Sequence, residues 1–295
     1  MKTVITILSL VSLLSVSLLT SCSNDSDETP KSKNLTLNFN GLEDLGPNYK
    51  YEGWIMVNGK PITTGVFTVN SNGTQSQTSF PVTASSLDTA TKFILTIEPF
   101  PDTDSNPTKT HLLAGDFVSN NATLTIGAPE ALTNNFTTAK GKYVLATPSD
   151  GENTNEKSGI WFIGSLPPSA GLELPTLPEG WKYEGWAVIN GTPVTTGTFT
   201  NVSGADAFSD FSGTSGTPPF PGEDFIKNAP TGVTFPTDLS GKTAVISIEP
   251  FPDNSTKPFL LKPLIASISA TAMDHVVYSM TNNTTATTPT GTAKK

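Results

Sequence analysis

Four carboxylates recur as two pairs, Glu98 with Asp102 and Glu249 with Asp253, each inside a Glu-Pro-Phe-Pro-Asp run. Carboxylate pairs are what glycosidases and calcium sites use. Hydrolysis, however, needs two carboxyl groups facing each other across a bound sugar, usually from separate strands. A calcium ion needs about six to eight oxygen ligands, more than either run shows. The pairs therefore read as structural. The Glu, at a strand end, accepts N–H groups of the following turn, and the Asp caps that turn. Of the four Trp residues, Trp54 and Trp186 alternate with apolar neighbours and read as core. Trp181, in the loop sequence PTLPEGW, is the surface candidate for stacking on a sugar ring. His111 and His275 fall at unrelated strand ends, so a shared catalytic base is not expected. No G-x-S-x-G, H-E-x-x-H, P-loop or G-x-G-x-x-G pattern occurs in the chain. No catalytic residue, metal or cofactor is assigned, and the chain reads as non-enzymatic.

Composition narrows the partners. The 295 residues include 17 Lys, no Arg and 26 Asp plus Glu, for a net charge of −9. A nucleic-acid binder needs a basic surface to neutralise phosphates, so that class is excluded. One Cys cannot form an internal disulfide, and with two distant His it cannot build a Cys/His zinc site. With 24 Gly and 24 Pro, and 15% charged residues, the composition points to an all-β protein with many turns.

That single Cys has a better explanation than packing. The chain opens with Lys2, an apolar stretch from Val4 to about Leu19, and then Leu19-Thr20-Ser21-Cys22. An apolar residue, two small ones and Cys form a lipobox. Residues 1–21 read as a cleaved lipoprotein signal peptide rather than a spanning helix. Cys22 would then carry a diacylglycerol on sulfur and an acyl chain on its new N-terminus, holding the mature protein on a membrane. Residues 22–33 are polar and charged and read as a flexible acidic tether. Asn24, Asp25, Asp27 and Glu28 resemble the short acidic signal that exports Bacteroidetes lipoproteins to the cell surface.

The scaffold carrying the carboxylates is duplicated. KYEGWIMVNGKPITTGVFT at 50–68 and KYEGWAVINGTPVTTGTFT at 182–200 agree at thirteen of nineteen positions. ILTIEPFPD at 94–102 and VISIEPFPD at 245–253 follow. The second copy holds about 19 more residues between its blocks, in a Pro- and Gly-rich stretch that includes PPFPGEDF and reads as a long loop. Alternation around Trp54 and Trp186 has the period of two expected of strands. Asn58-Gly59 and Asn190-Gly191 then predict type I′ hairpin turns. Further strands are predicted at 111–117, 122–126, 260–268 and 276–280, with a hairpin pairing 143–146 and 160–163. One short helix is predicted from Pro129. The fold class read from this is two tandem immunoglobulin-like β-sandwich domains joined by a short linker. The first spans 34–127, the linker 128–141, and the second 142–281, with the added hairpin and long loop. Residues 282–295 are low-complexity and read as a disordered tail.

Trp54, Gly59, Pro61, Gly65, Phe67, Glu98, Pro99 and the Leu-Leu-Ala-Gly of 112–115 together resemble the extracytoplasmic C-terminal domain of anti-sigma-K factors. Trp186, Gly191, Pro193, Gly197, Phe199, Glu249 and Pro250 repeat the pattern, with LKPL at 261–264 as a departure. The resemblance implies a β-sandwich sensory domain outside the membrane and supplies no active site. A lipidated protein outside the membrane cannot hold a cytoplasmic sigma factor, so direct sigma-factor contact is not expected. The reading is a lipid-anchored cell-envelope protein on the outer membrane, surface-exposed, that binds or senses an envelope protein or glycan. Two alternatives are a carbohydrate-binding component and a passive structural or adhesive lipoprotein. A ligand-sized groove with exposed aromatics would favour the first alternative and a smooth polar surface the second. A defined patch at the junction of the two copies would favour binding or sensing.

Overall fold

A computed structural model describes residues 30–151, 154–252 and 255–295. The signal sequence, Cys22, most of the tether and Asp253 lie outside the described residues.

The chain is all-β and antiparallel. The first copy contributes β1 (Ser32–Asn40), β2 (Tyr49–Val57), β3 (Lys60–Phe67), β4 (Ser79–Thr83), α1 (Ala84–Thr89), β5 (Lys92–Pro99), β6 (His111–Asp116) and β7 (Asn121–Leu124). The second contributes β8 (Lys140–Leu145), β9 (Gly159–Trp161), β10 (Leu172–Glu173), β11 (Trp181–Ile189), β12 (Thr192–Phe199), β13 (Gly222–Asp224), β14 (Thr243–Pro250), β15 (Leu264–Ser267) and β16 (Val277–Ser279). β17 (Thr281–Asn282), α2 (Thr284–Thr287) and β18 (Thr290–Lys294) end the chain.

The repeat blocks take equivalent sheet positions. The order β3-β2-β5-β6 in the first copy matches β12-β11-β14-β15 in the second. Each hairpin turns on Asn-Gly with both φ values positive: 51° and 75° at Asn58 and Gly59, 53° and 86° at Asn190 and Gly191. Both angles suit a type I′ turn, whose twist matches that of the flanking strands. Each long strand also shifts register at the same place, between Gly53 and Trp54 and between Gly185 and Trp186. A Cβ at Gly53 would lie 2.5 Å from Thr64 Oγ1, and one at Gly185 2.2 Å from Thr196 Oγ1. The glycine is required there because a threonine of the return strand occupies the space.

The opposing sheets are built by exchange. In the first copy the order is β4-β1-β18-β7. In the second, β8 has β9 and β10 along one edge and β16 along the other, and β13 pairs with β9. β18 and β8 thus hold the same position, yet each follows the copy it does not complete. β8 leaves the first copy and enters the second. β18 leaves the second and returns to the first, with Gly291 opposite Phe39 on β1 and Leu124 on β7. Two Asx turns begin these arms alike: Asn134 Oδ1 accepts the Phe136 N–H at 2.7 Å, and Asn282 Oδ1 the Thr284 N–H at 3.1 Å.

Six expectations are corrected here. Residues 282–295 are not a disordered tail, because β18 is an interior strand with Ala293 fully buried. Residues 128–141 are not a free linker: Leu132, Phe136 and Ala139 are buried in the core. No helix starts at Pro129, where turns form; a helix forms instead at α1. The PPFPGEDF stretch is not all loop, because β13 lies within it, at the position β4 holds in the first copy. The second copy's extra residues split about evenly before and after β13. The predicted strand at 260–268 is shorter, and its register places Leu264 opposite Ile246 as Leu113 is opposite Leu95. The counterpart of residues 112–115 is therefore 263–266, not 261–264.

One contiguous core runs from Leu35 through Phe136, Phe162 and Phe259 to Ala293, crossing both copies. Interlocking explains this: each copy closes its sandwich with a strand that belongs covalently to the other.

Candidate functional site

The repeated carboxylates lie on the outer face of the β2–β5 and β11–β14 sheets. Alternation along β5 sends Phe93, Leu95 and Ile97 into the main core, leaving Ile94, Thr96 and Glu98 on the other side. Trp54 packs there on Ile94, Ala114 and Ala131. Trp54 and Trp186 are each only 2% exposed, so both are interior, but in an outer layer rather than between the sheets.

Each Trp anchors a polar chain. Trp54 Nε1 donates to Thr96 Oγ1 at 2.9 Å, and Trp186 Nε1 to Ser247 Oγ at 2.8 Å. Ser247 in turn donates to Glu249. The Thr108 N–H donates to both Glu98 oxygens at 3.0 and 3.3 Å. In the second copy the Phe259 N–H does the same to Glu249, at 2.9 and 3.2 Å. Both glutamates are 1% exposed. Each clamps the far end of the loop that follows its strand. Asp102 caps the same loop by accepting the Asp104 N–H at 2.8 Å.

A second glutamate joins each network. Thr63 donates to Glu52, and Thr195 to Glu184. Burial pushes the Glu98 carboxyl above the usual range; Thr96 and Thr108 pull it back, and the charge of Glu52 adds to the rise. Glu52 is also raised by burial, opposed by Thr63 and helped by the charge of Asp102. The identity of Glu52 and Glu184 in the KYEGW blocks was the available sequence signal. Their strand alternation alone did not reveal that they share a site with Glu98 and Glu249. Glu98 and Glu249 are almost fully buried and Glu52 and Glu184 nearly so, while Glu249 also borders the cleft between the copies.

Trp181 is not a surface residue. It is 3% exposed and packs on Phe259 at 6.0 Å between ring centres. The exposed aromatics are instead the phenylalanines of the two Glu-Pro-Phe-Pro runs. Phe100 is 50% exposed and Phe251 49%. Lys50 Nζ sits 3.3 Å above the first ring and Lys182 Nζ 3.7 Å above the second, close enough for a cation–π contact.

These runs meet the junction of the copies. Tyr49 Oη donates to the Pro252 carbonyl at 3.4 Å. Lys109 and Glu179 pair at 3.7 Å. Between the copies lies a cleft of about 90 Å³ whose lining includes Glu43, Tyr49, Ile97, Glu249, Pro252 and Phe259. Larger depressions of about 230, 390 and 830 Å³ occur elsewhere, and none has an aromatic in its lining.

The second copy also buries acids the sequence reading did not single out. Glu223 and Asp224 on β13 are fully buried. Trp161 Nε1 and the Ser149 N–H each donate to Asp224 at 2.8 Å. Asp206 accepts the Gly222 N–H at 2.9 Å. Ser212 donates to one Glu223 oxygen, while Oε2 has no hydrogen-bond partner. Burial pushes Asp206 up to about 6 and Glu223 up to about 7. Unfolded, both titrate near 4. The folded chain therefore holds protons that the unfolded chain has already lost. Their contribution to stability is full below about pH 4, falls as pH rises to about 7, and is flat above. Raising pH from 5 to 8 is expected to lower the melting temperature, with a loss on the order of 2–3 kcal/mol from Glu223. Glu223→Gln should flatten that decline in a calorimetric pH series. A parent protein that grows more stable toward pH 8 would contradict this.

Comparison with known proteins returns no matching family model, no matching curated protein and no matching solved structure.

Proposed function

We propose that this chain is a non-enzymatic binding or sensory module of the cell envelope, resembling anti-sigma factor extracytoplasmic domains. It is anchored to the outer membrane by lipid on Cys22 and engages an envelope protein at the junction of its two copies. The junction carries the reading: it combines a cleft with the crossing of both repeats, and the cleft residues Ile97, Pro250 and Pro252 lie close in sequence to two half-exposed phenylalanines under lysines. A cleft of about 90 Å³ has room for a side chain of a partner. Sites for ligands of drug size run to about 300 Å³ or more. That size, and the lack of aromatics in the larger depressions, weighs against a glycan as the ligand.

The test is a photo-crosslinking residue placed at Phe251 or Phe100 in living cells, with Val118 as a control. Val118 is 77% exposed and lies on the β6–β7 turn. A discrete protein adduct at both phenylalanine positions and none at Val118 is the expected result. Equal adducts at all three would remove the junction from the proposal. The anchor is tested separately. Cys22→Ala is expected to move the protein from the membrane fraction to the soluble fraction, read by fractionation and mass spectrometry of the N-terminal peptide. A variant that stays membrane-bound without acylation would contradict the anchor.

A further inference from the structure

The two exchanged strands are not interchangeable. On β18 the residues facing the core are Gly291 and Ala293, and Ala293 lies opposite Leu37 on one side and Ala122 on the other. On β8 the corresponding residues are Gly141 and Tyr143, and Tyr143 lies opposite Tyr278, their rings stacked at 5.6 Å. A Cβ at Gly291 would meet the Phe39 ring at 2.4 Å. The slot between β1 and β7 therefore requires glycine facing Phe39 and a small residue facing Ala122. Tyrosine in place of Ala293 would overfill a core position that is 0% exposed. The first copy cannot close itself by folding β8 back into its own sheet. Of the two arms, the slot fits β18, because Ala293 stands where β8 would bring Tyr143.

β18 is joined to β17 only by residues 283–289, which include the four-residue helix α2. A swap between molecules would keep the pairing of β18 with β1 and β7 and alter only the connecting segment, which makes such exchange a low-cost route to dimers.

We propose that the slot between β1 and β7 is a strand-acceptor site that takes β18 from a second copy of this chain. In one molecule the site is filled by its own β18. When that strand withdraws, the slot receives the β18 of a neighbour, and the freed β18 enters the neighbour's slot or a third molecule's. Reciprocal exchange gives closed dimers and sequential exchange gives open chains. The inference rests on the strand order and the arm sequences, independently of the role proposed for the junction.

Asn38 and Thr292 are opposite each other, with Thr292 exposed on the face away from the core. Directly opposed strand residues lie within the Cα separation a disulfide spans. Three full-length proteins carrying Cys22→Ser are made: Asn38→Cys, Thr292→Cys, and both together. The double variant is oxidised first. Closure within one chain places β18 in the slot, and failure to close would overturn the premise. The two single variants are then mixed, held near the onset of melting, cooled and oxidised. Disulfide-linked dimers containing one of each chain are expected on a non-reducing gel. Their ratio to monomer should rise about tenfold for a tenfold rise in monomer concentration. Locking β18 beforehand in the double variant should abolish all dimer. The absence of mixed dimers from proteins that melt and recover, or dimers formed only between identical single variants, would overturn the proposal.

Discussion

A chain ending at Thr288 is expected to lose the fold of its first copy. β18 is an interior strand, paired at five positions with β1 and at four with β7. Its removal strips both neighbours of ladder hydrogen bonds, each worth about 1 kcal/mol net. It also opens Leu35, Leu37, Ala122 and Leu124, all buried, to water. Fully burying one large aliphatic side chain is worth about 1.5–3 kcal/mol. The total exceeds about 5 kcal/mol and so reaches the whole margin of an ordinary domain, about 5–15 kcal/mol. Calorimetry should show no parent-like cooperative transition above 37 °C. Lys294→Ala, an exposed change on the same strand, is expected to shift the melt by less than about 0.5 kcal/mol. A truncated chain that melts like the parent would show that β18 contributes nothing.

The second large effect separates scaffold from chemistry in the repeat blocks. Trp54→Ala or Trp186→Ala should cost about 3–5 kcal/mol by emptying a buried site. Each also leaves its Thr96 or Ser247 hydroxyl without the indole donor. Glu98→Gln or Glu249→Gln should cost less, on the order of 1–2 kcal/mol, because the amide keeps an acceptor oxygen for the Thr108 or Phe259 N–H. None of these melts should respond to calcium or to a chelator. A parent whose melting temperature rises strongly with calcium, while Glu98→Gln does not respond, would replace the scaffold with a metal site.

Much of the frame is legible in the residues, for local reasons. The Asn-Gly turns, the period-two alternation around Trp54 and Trp186, and the Glu-Pro strand ends are short-range signals, and each structure follows from a few adjacent residues. Glu98 as a turn acceptor was legible because proline ends the strand just beyond it. What was not legible is long-range. Thr290–Lys294 contains no residue larger than Lys and no Val, Ile, Phe or Tyr. Its two Thr suit a strand while Gly, Ala and Lys are depleted from strands, so partner geometry rather than composition settles it. The small residues that made 282–295 look disordered are what the slot beside Phe39 and Ala122 requires. The repeated Thr-Asn-Asn at 133–135 and 281–283 was a visible signal of the exchange. A pairwise comparison of the long blocks overlooks so short a match. Trp181 was misplaced for a related reason: its Pro- and Gly-rich approach reads as loop, while the side chain packs on Phe259, 78 residues later.

The central claim is that two repeats form one interlocked unit, each closed by the other's strand. Backbone hydrogen exchange read by mass spectrometry tests it most directly. The peptide covering 289–295 should be protected to the same degree as the β1 peptide covering 34–40, and both should lose protection together as denaturant is raised. Full exchange of residues 289–295 within seconds, with 34–40 still protected, would contradict the interlocked fold.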